Sequence, residues 1–198
     1  MAGERGDERR RWTREEYYRL GDLEIFGDVR VELLDGFIWE VPPLTPPHAT
    51  VILMAPDWLG SACRGAYSVR QRGPLVLTDY SEPEPDILVV SGSWRDYMAH
   101  HPTAAEACLL VEVADTNLAK NRDVKAELYA ASGIIDYWII NLVDRQLEVY
   151  RDPAALPNSN LYKSRQVLAA GDVVTPLFAP DSSIAVADLL PPFLVQQP

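Results

Sequence analysis

Three short apolar runs constrain the fold of this chain more than any other feature: "DILVV" (86–90), "CLLVEV" (108–113) and "DYWIINL" (136–142). Their lengths fit strands covered on both faces, as in the centre of a mixed α/β sheet, although periodicity by itself does not separate such strands from buried helix. Two of the runs carry a carboxylate where a core strand has no ordinary use for one. Asp86 stands at the mouth of the first, and Glu112 lies inside the second.

The remaining elements are read around these runs. Between the second and third, "TNLAKNRDVKAELYAASG" (116–133) sets good helix formers between an N-cap at Thr116 or Asn117 and a C-cap at Gly133, which predicts a helix. On it Asn121, Lys125 and Tyr129 form a polar stripe one turn apart, while Val124 and Leu128 are expected to face the sheet. Upstream, Thr13 and Glu16 in "TREEYYRL" form a capping box ahead of a short helix. Asp35-Gly36 in "VRVELLDGFIWEV" predicts an N-terminal β-hairpin. A helix is expected to begin near Pro47 and His48, with Val51, Met54, Ala55, Trp58 and Leu59 at helical spacing. Residues 67–78 alternate like a half-exposed strand broken by Gly73 and Pro74, and "QLEVYRD" (146–152) pairs back on the third run through "VDR". Beyond it come short strands and a terminal turn.

Residues 1–11 are expected to be a flexible segment, and residues 12–198 one domain, since 198 residues are short for two independent cores. No segment approaches the roughly 18 apolar residues of a membrane span. The start lacks the apolar stretch of a secretory signal, so a cytoplasmic location is expected. Cys63 and Cys108 have no zinc-site or disulfide spacing and are expected to be small buried hydrophobes, and His100-His101 reads as loop. There is no GxSxG, GxxxxGK[ST] or GxGxxG pattern. Trp58, Trp138 and Tyr137 lie on apolar faces and read as core. The net charge of −11 argues against nonspecific coating of nucleic acid. A local basic groove from Arg5, Arg9, Arg10 and Arg11, or from Arg64, Arg70 and Arg72, stays open beside their reading as solvated surface charge.

Glu112 sets the chemical question. An unpaired ionised carboxylate in an apolar strand costs several kcal/mol, about what a whole domain has to spare. If the first two runs are adjacent strands, Asp86 is the neighbour of Glu112. Their repulsion then calls for a cation between them. Oxygen ligands at that density suit Mg²⁺ or Mn²⁺ rather than zinc. The rival is a buried ion pair of Glu112 with Lys125 or an arginine, with Asp86 serving only to cap its strand.

The pair Pro85-Asp86, the element Glu112 to Ala114 and the helix that follows resemble the PD-(D/E)XK nuclease superfamily. The run "VEVADTNLAKNRDVKAELYAASGIIDYWIINL", together with "VELLDG" and His48, resembles more specifically the bacterial Uma-type family of restriction-endonuclease-like proteins, over about residues 12 to 150. The resemblance implies an α/β fold with a restriction-endonuclease-like mixed β-sheet core flanked by helices. It further implies Asp86 and Glu112 as metal ligands with the Val113 carbonyl, Mg²⁺ or Mn²⁺ as cofactor, and DNA phosphodiester hydrolysis. Ala114 replaces the superfamily's lysine. The resemblance moves that role to Lys125 on the helix, with Lys120 as the competing position.

Glu32 corresponds to an additional acidic residue of the site, and His48 could contact phosphate or water, or simply be a satisfied residue at a helix start. Asn121 stands where the family carries an aspartate, and with Tyr129 it is a possible accessory to the site. A homodimer is expected, because cutting two strands favours paired sites. A degenerate member that binds nucleic acid or a protein without cutting is the second reading. A structural protein with a Glu112–Lys125 ion pair is the third.

Overall fold

A computed structural model describes residues 9–60, 62–63, 66–156 and 159–192. Residues 1–8, and with them Arg5 and most of the segment expected to be flexible, lie outside the described residues, as does Arg64. The three apolar runs form β4 (Ile87–Ser91), β5 (Ala107–Ala114) and β6 (Asp136–Asn141). They occupy the middle of a six-stranded mixed sheet. Its order is β3 (Tyr67–Gln71), β4, β5, β6, β7 (Gln146–Leu156), β8 (Ser159–Ala169), and only the β5–β6 neighbours run parallel. A parallel pair needs a crossover, and the helical stretch between β5 and β6 supplies it.

Both faces of the sheet are covered, which explains why its central strands are apolar throughout. On one face α2 (Pro46–Leu59) sets Val51, Ile52, Ala55, Trp58 and Leu59 against Val89, Leu109, Val111, Trp138 and Ile140. On the other, Ala126, Tyr129 and Ile134 cover Leu88, Leu110, Tyr137 and Ile139. Each fully buried aliphatic side chain here contributes roughly 1.5–3 kcal/mol.

Local chemistry sets the ends of the elements. Asp35 and Gly36 both take positive φ (49° and 81°), the backbone of a tight hairpin turn, and join β1 (Val31–Leu34) to β2 (Phe37–Glu40). Thr13 and Glu16 form the expected reciprocal cap on α1 (Arg14–Asp22). The α2 helix starts at Pro46 behind Thr45, a little earlier than the sequence suggests. Its internal Pro56 has no N–H to offer the Ile52 carbonyl, and the Gln71 side chain donates to that oxygen instead at 2.5 Å. Beyond Gln71 the strand ends, because Gly73 and Pro74 break the alternation that continues in the sequence to residue 78.

Three expectations need correction. The helix predicted over 116–133 is α3 (Leu118–Lys120), a π-helical turn (Asn121–Lys125) and α4 (Ala126–Ala131), closed by Gly133 at φ 75°. The N–H groups of Gly133 and Ile134 return to the carbonyls of Ala130 and Tyr129, a Schellman end. Second, Val124 and Leu128 do not face the sheet. They line a surface groove with Asp123 and Glu127, while Asn121, Lys125 and Tyr129 turn inward. The polar stripe is the buried one because Glu112 waits beneath it. Third, Cys63 and Cys108 are half-buried rather than buried.

Candidate active site

The ladder between β4 and β5 pairs Ile87 with Val111, so one step further Asp86 stands opposite Glu112 and Pro85 opposite Val113. Proline cannot complete the ladder. In its place Oδ2 of Asp86 accepts the Val113 N–H at 2.9 Å. The carbonyl of an extended residue points to the same side as its N–H, so the Val113 carbonyl also faces this gap, with no proline N–H to receive. The Pro85-Asp86 pair thus opens the sheet at one edge of a cavity and fills the opening with a carboxylate.

Asp86 is held from the other side by His48, whose Nε2 lies 2.9 Å from the same Oδ2. The second ring nitrogen, Nδ1, is 3.6 Å from Oδ1 of Asp115, and Oδ2 of Asp115 accepts from Thr45, the residue that caps the helix bearing His48. Burial opposes charge on His48. The hydrogen bond and charge of Asp86, with the charge of Asp115, outweigh it and raise the imidazole pKa above its usual value.

Glu112 is buried in β5, and its Oε1 accepts from Lys125 Nζ (2.9 Å) and the Tyr129 hydroxyl (2.7 Å). Lys125 also lies 3.1 Å from Oε2 of Glu32 on β1. Lys120 completes the chain, 2.7 Å from Oε1 of Glu32, with its ammonium over the Trp39 ring. Both lysines are therefore in place, Lys125 reaching Glu112 and Lys120 stopping at Glu32. The π turn explains the reach: it carries Lys125 inward to the sheet, and such turns recur at functional sites.

Charges in the cluster are strongly coupled. Burial raises the Glu112 carboxyl pKa above its usual value, Lys125 works against this, and the nearby Asp86 and Glu32 add to the rise. For Lys125 burial disfavours the ammonium, yet Glu112 and Glu32 more than offset it and raise the pKa above the ordinary lysine range. Glu32 is lowered because Lys125 and Lys120 prevail over its burial. Lys125 is consequently a fixed positive charge rather than a proton acceptor near neutral pH.

Asp86, Glu112, Lys125, Glu32 and His48 all line one cavity of about 240 Å³. Around it stand six carboxylates, against Arg72, Lys120, Lys125 and His48. Tyr129 lies beneath Glu112 rather than on the cavity wall. Asn121 is fully buried, and among the described residues neither atom of its amide has a hydrogen-bond partner. Asp115 was missed in the sequence: it directly follows β5 in "VEVAD" but reads there as an ordinary post-strand aspartate. The basic groups divide. Arg10 pairs with Glu16, Arg11 with Asp35, and Arg70 lies over the Tyr97 ring, whereas Arg72 reaches the cavity.

The donor set suits a hard divalent cation. Among the described residues, Oδ1 of Asp86 and Oε2 of Glu112 take no protein hydrogen bond, and the Val113 carbonyl adds a third oxygen. Among the described residues no three His, Cys, Asp or Glu side chains are grouped to hold a metal by themselves. Mg²⁺ sites commonly consist of one or two carboxylates completed by water and substrate oxygens.

Comparison with known proteins agrees with this architecture. A solved structure of a putative nuclease belonging to DUF820, from Anabaena variabilis, superposes with a TM-score of 0.67 at 17% identity, over 89% of this chain and 96% of that one. The likeness is one of fold. No curated protein matches the chain. Residues 14–187 match the model of the family Uma2, described as "Putative restriction endonuclease". With nearly its whole length inside that model, the chain belongs to the Uma2 family.

Proposed function

We propose that this chain is a Mg²⁺- or Mn²⁺-dependent endonuclease that hydrolyses phosphodiester bonds in DNA. One observation carries the reading: Asp86, Glu112 and Lys125 meet at one cavity, with an oxygen of each carboxylate unpaired and the lysine held charged beside them. Asp86, Glu112 and the Val113 carbonyl are the groups that would hold the ion. When bound, it lowers the pKa of a water and withdraws charge from the scissile phosphate.

The chain's own residues do the rest. Lys125 places its positive charge where negative charge builds on the phosphate, and orients the attacking water. Glu32, both of whose oxygens are engaged, acts through the lysines by holding Lys125 in place. His48 fixes the rotamer of Asp86 through its hydrogen bond, while Tyr129 does the same for Glu112 from below. Two such sites in a homodimer would cut both strands of a duplex.

A second reading has an observation in its favour. Lys125 and Lys120 already pair Glu112 and Glu32 within the protein, as a family member that binds nucleic acid or protein without cutting would require. Incubating supercoiled plasmid with the protein and Mg²⁺ or Mn²⁺, beside Glu112→Gln and Asp86→Ala, decides between them. The nuclease reading expects nicked or linear product from the wild type alone, and equal, negligible cutting by all three leaves the non-cutting reading.

A further inference from the structure

Every other cation on the wall of the site is spent on a carboxylate: Lys125 on Glu112 and Glu32, Lys120 on Glu32. Arg72 is the exception. Its half-buried side chain has no carboxylate partner among the described residues, although the region around it is acidic. Resting on the reading of the chain as a nuclease, we infer that Arg72 grips a backbone phosphate of the substrate strand beside the one that is cleaved.

The backbone holds Arg72 in register with the chemistry. Gln71 pairs with Ile87, so Arg72 is the next step of the ladder, and its N–H donates to the Asp86 carbonyl at 3.1 Å. Arg72, Asp86 and Glu112 therefore form one row across three adjacent strands. Arg72 also adopts φ 50°, a conformation that residues with a Cβ adopt reluctantly and that gathers at functional sites.

The side chain stands between two spaces. It lines the site cavity and also an adjoining groove of about 660 Å³, walled by Asp28–Arg30 on one side and Glu40–Leu44 on the other. In the groove Arg30 is paired with Glu84, which leaves Arg72 as the available donor at the junction. An unpaired guanidinium there has five N–H donors in a planar fork, the geometry that matches two phosphate oxygens at once. A strand with its scissile phosphate at Asp86 and Glu112 would pass Arg72 as it leaves along the groove.

The test is anisotropy of a short fluorescein-labelled duplex DNA in Ca²⁺, titrated with wild type, Arg72→Gln and Arg72→Lys over a salt series. A parallel Mn²⁺ titration and thermal melt report the integrity of each variant. Arg72→Gln is expected to weaken DNA binding by about tenfold and to flatten the slope of log Kd against log salt by about one, with Mn²⁺ affinity and melting unchanged. Arg72→Lys keeps the salt slope while losing part of the affinity. Equal affinity and slope in wild type and Arg72→Gln overturn the assignment while the nuclease reading stands. A wild type that binds no DNA removes both together.

Discussion

Lys125 donates to Glu112 across 2.9 Å, with both side chains buried at the wall of the site cavity. The same ammonium lies 3.1 Å from Glu32, a carboxylate it shares with Lys120. Removing it is the most direct test of the cluster. Lys125→Met is expected to destabilise the fold by about 3 kcal/mol, since truncating one side of a buried pair leaves uncompensated charge. Urea unfolding reads this, and saturating Mg²⁺ should return part of the loss by binding the folded state. An unchanged midpoint would mean that the two carboxylates are not ionised in the absence of the lysine.

His48 and Asp115 would act on the proposed metal site through Asp86. His48→Gln is expected to lower Mn²⁺ affinity about tenfold, the usual cost of losing a group that orients a ligand. Asp115→Asn, one contact further out, should lower it by less. Titration followed by electron paramagnetic resonance measures both, and a larger loss in Asp115→Asn than in His48→Gln would contradict the order of contacts seen here.

Stability at low pH should follow Glu148. Burial raises this carboxyl, but hydrogen bonds from Arg122, Asn141, Tyr150 and Arg165 prevail and hold its pKa at about 2, against an ordinary 4.5. A carboxyl depressed in the folded state contributes stability that is full above the unfolded pKa and is lost as pH falls from 4.5 towards 2. Arg122 and Arg165 are partly exposed, so the contribution is put at roughly 2 kcal/mol. Glu148→Gln should flatten the dependence of the melting temperature on pH across that window. Because Arg122 belongs to the π turn that delivers Lys125, the same variant should also lower kcat more than it changes KM.

Gln71 repairs a defect made by Pro56. Gln71→Ala leaves the Ile52 carbonyl without its donor and is expected to cost about 1–2 kcal/mol. In the Pro56→Ala background the cost should shrink, because the helix then supplies its own N–H. A double-mutant cycle with no coupling between the two positions would show that the repair contributes nothing.

Much of this molecule is written in local pattern. The three apolar runs fit central strands because a sheet covered on both faces buries every side chain of such a run, and Asp35-Gly36 dictates the hairpin because few residue pairs accept positive φ twice. Glu112 announces a compensating cation, since desolvating a carboxylate is costly wherever it happens. Sequence alone did not reveal how that compensation is arranged. Lys125 and Tyr129, not Val124 and Leu128, face the sheet because both reach the buried Glu112. Spacing within the helix marks a polar stripe but does not say which stripe turns inward. Asp115, His48 and Arg72 come from three separate segments, and their meeting around Asp86 depends on strand order and on the entry angle of α2. The sequence determined which elements form and that a buried acid must be answered. Tertiary structure alone decided which charges answer it, because the energy of a charge pair depends on distance and burial, and neither is encoded within one segment.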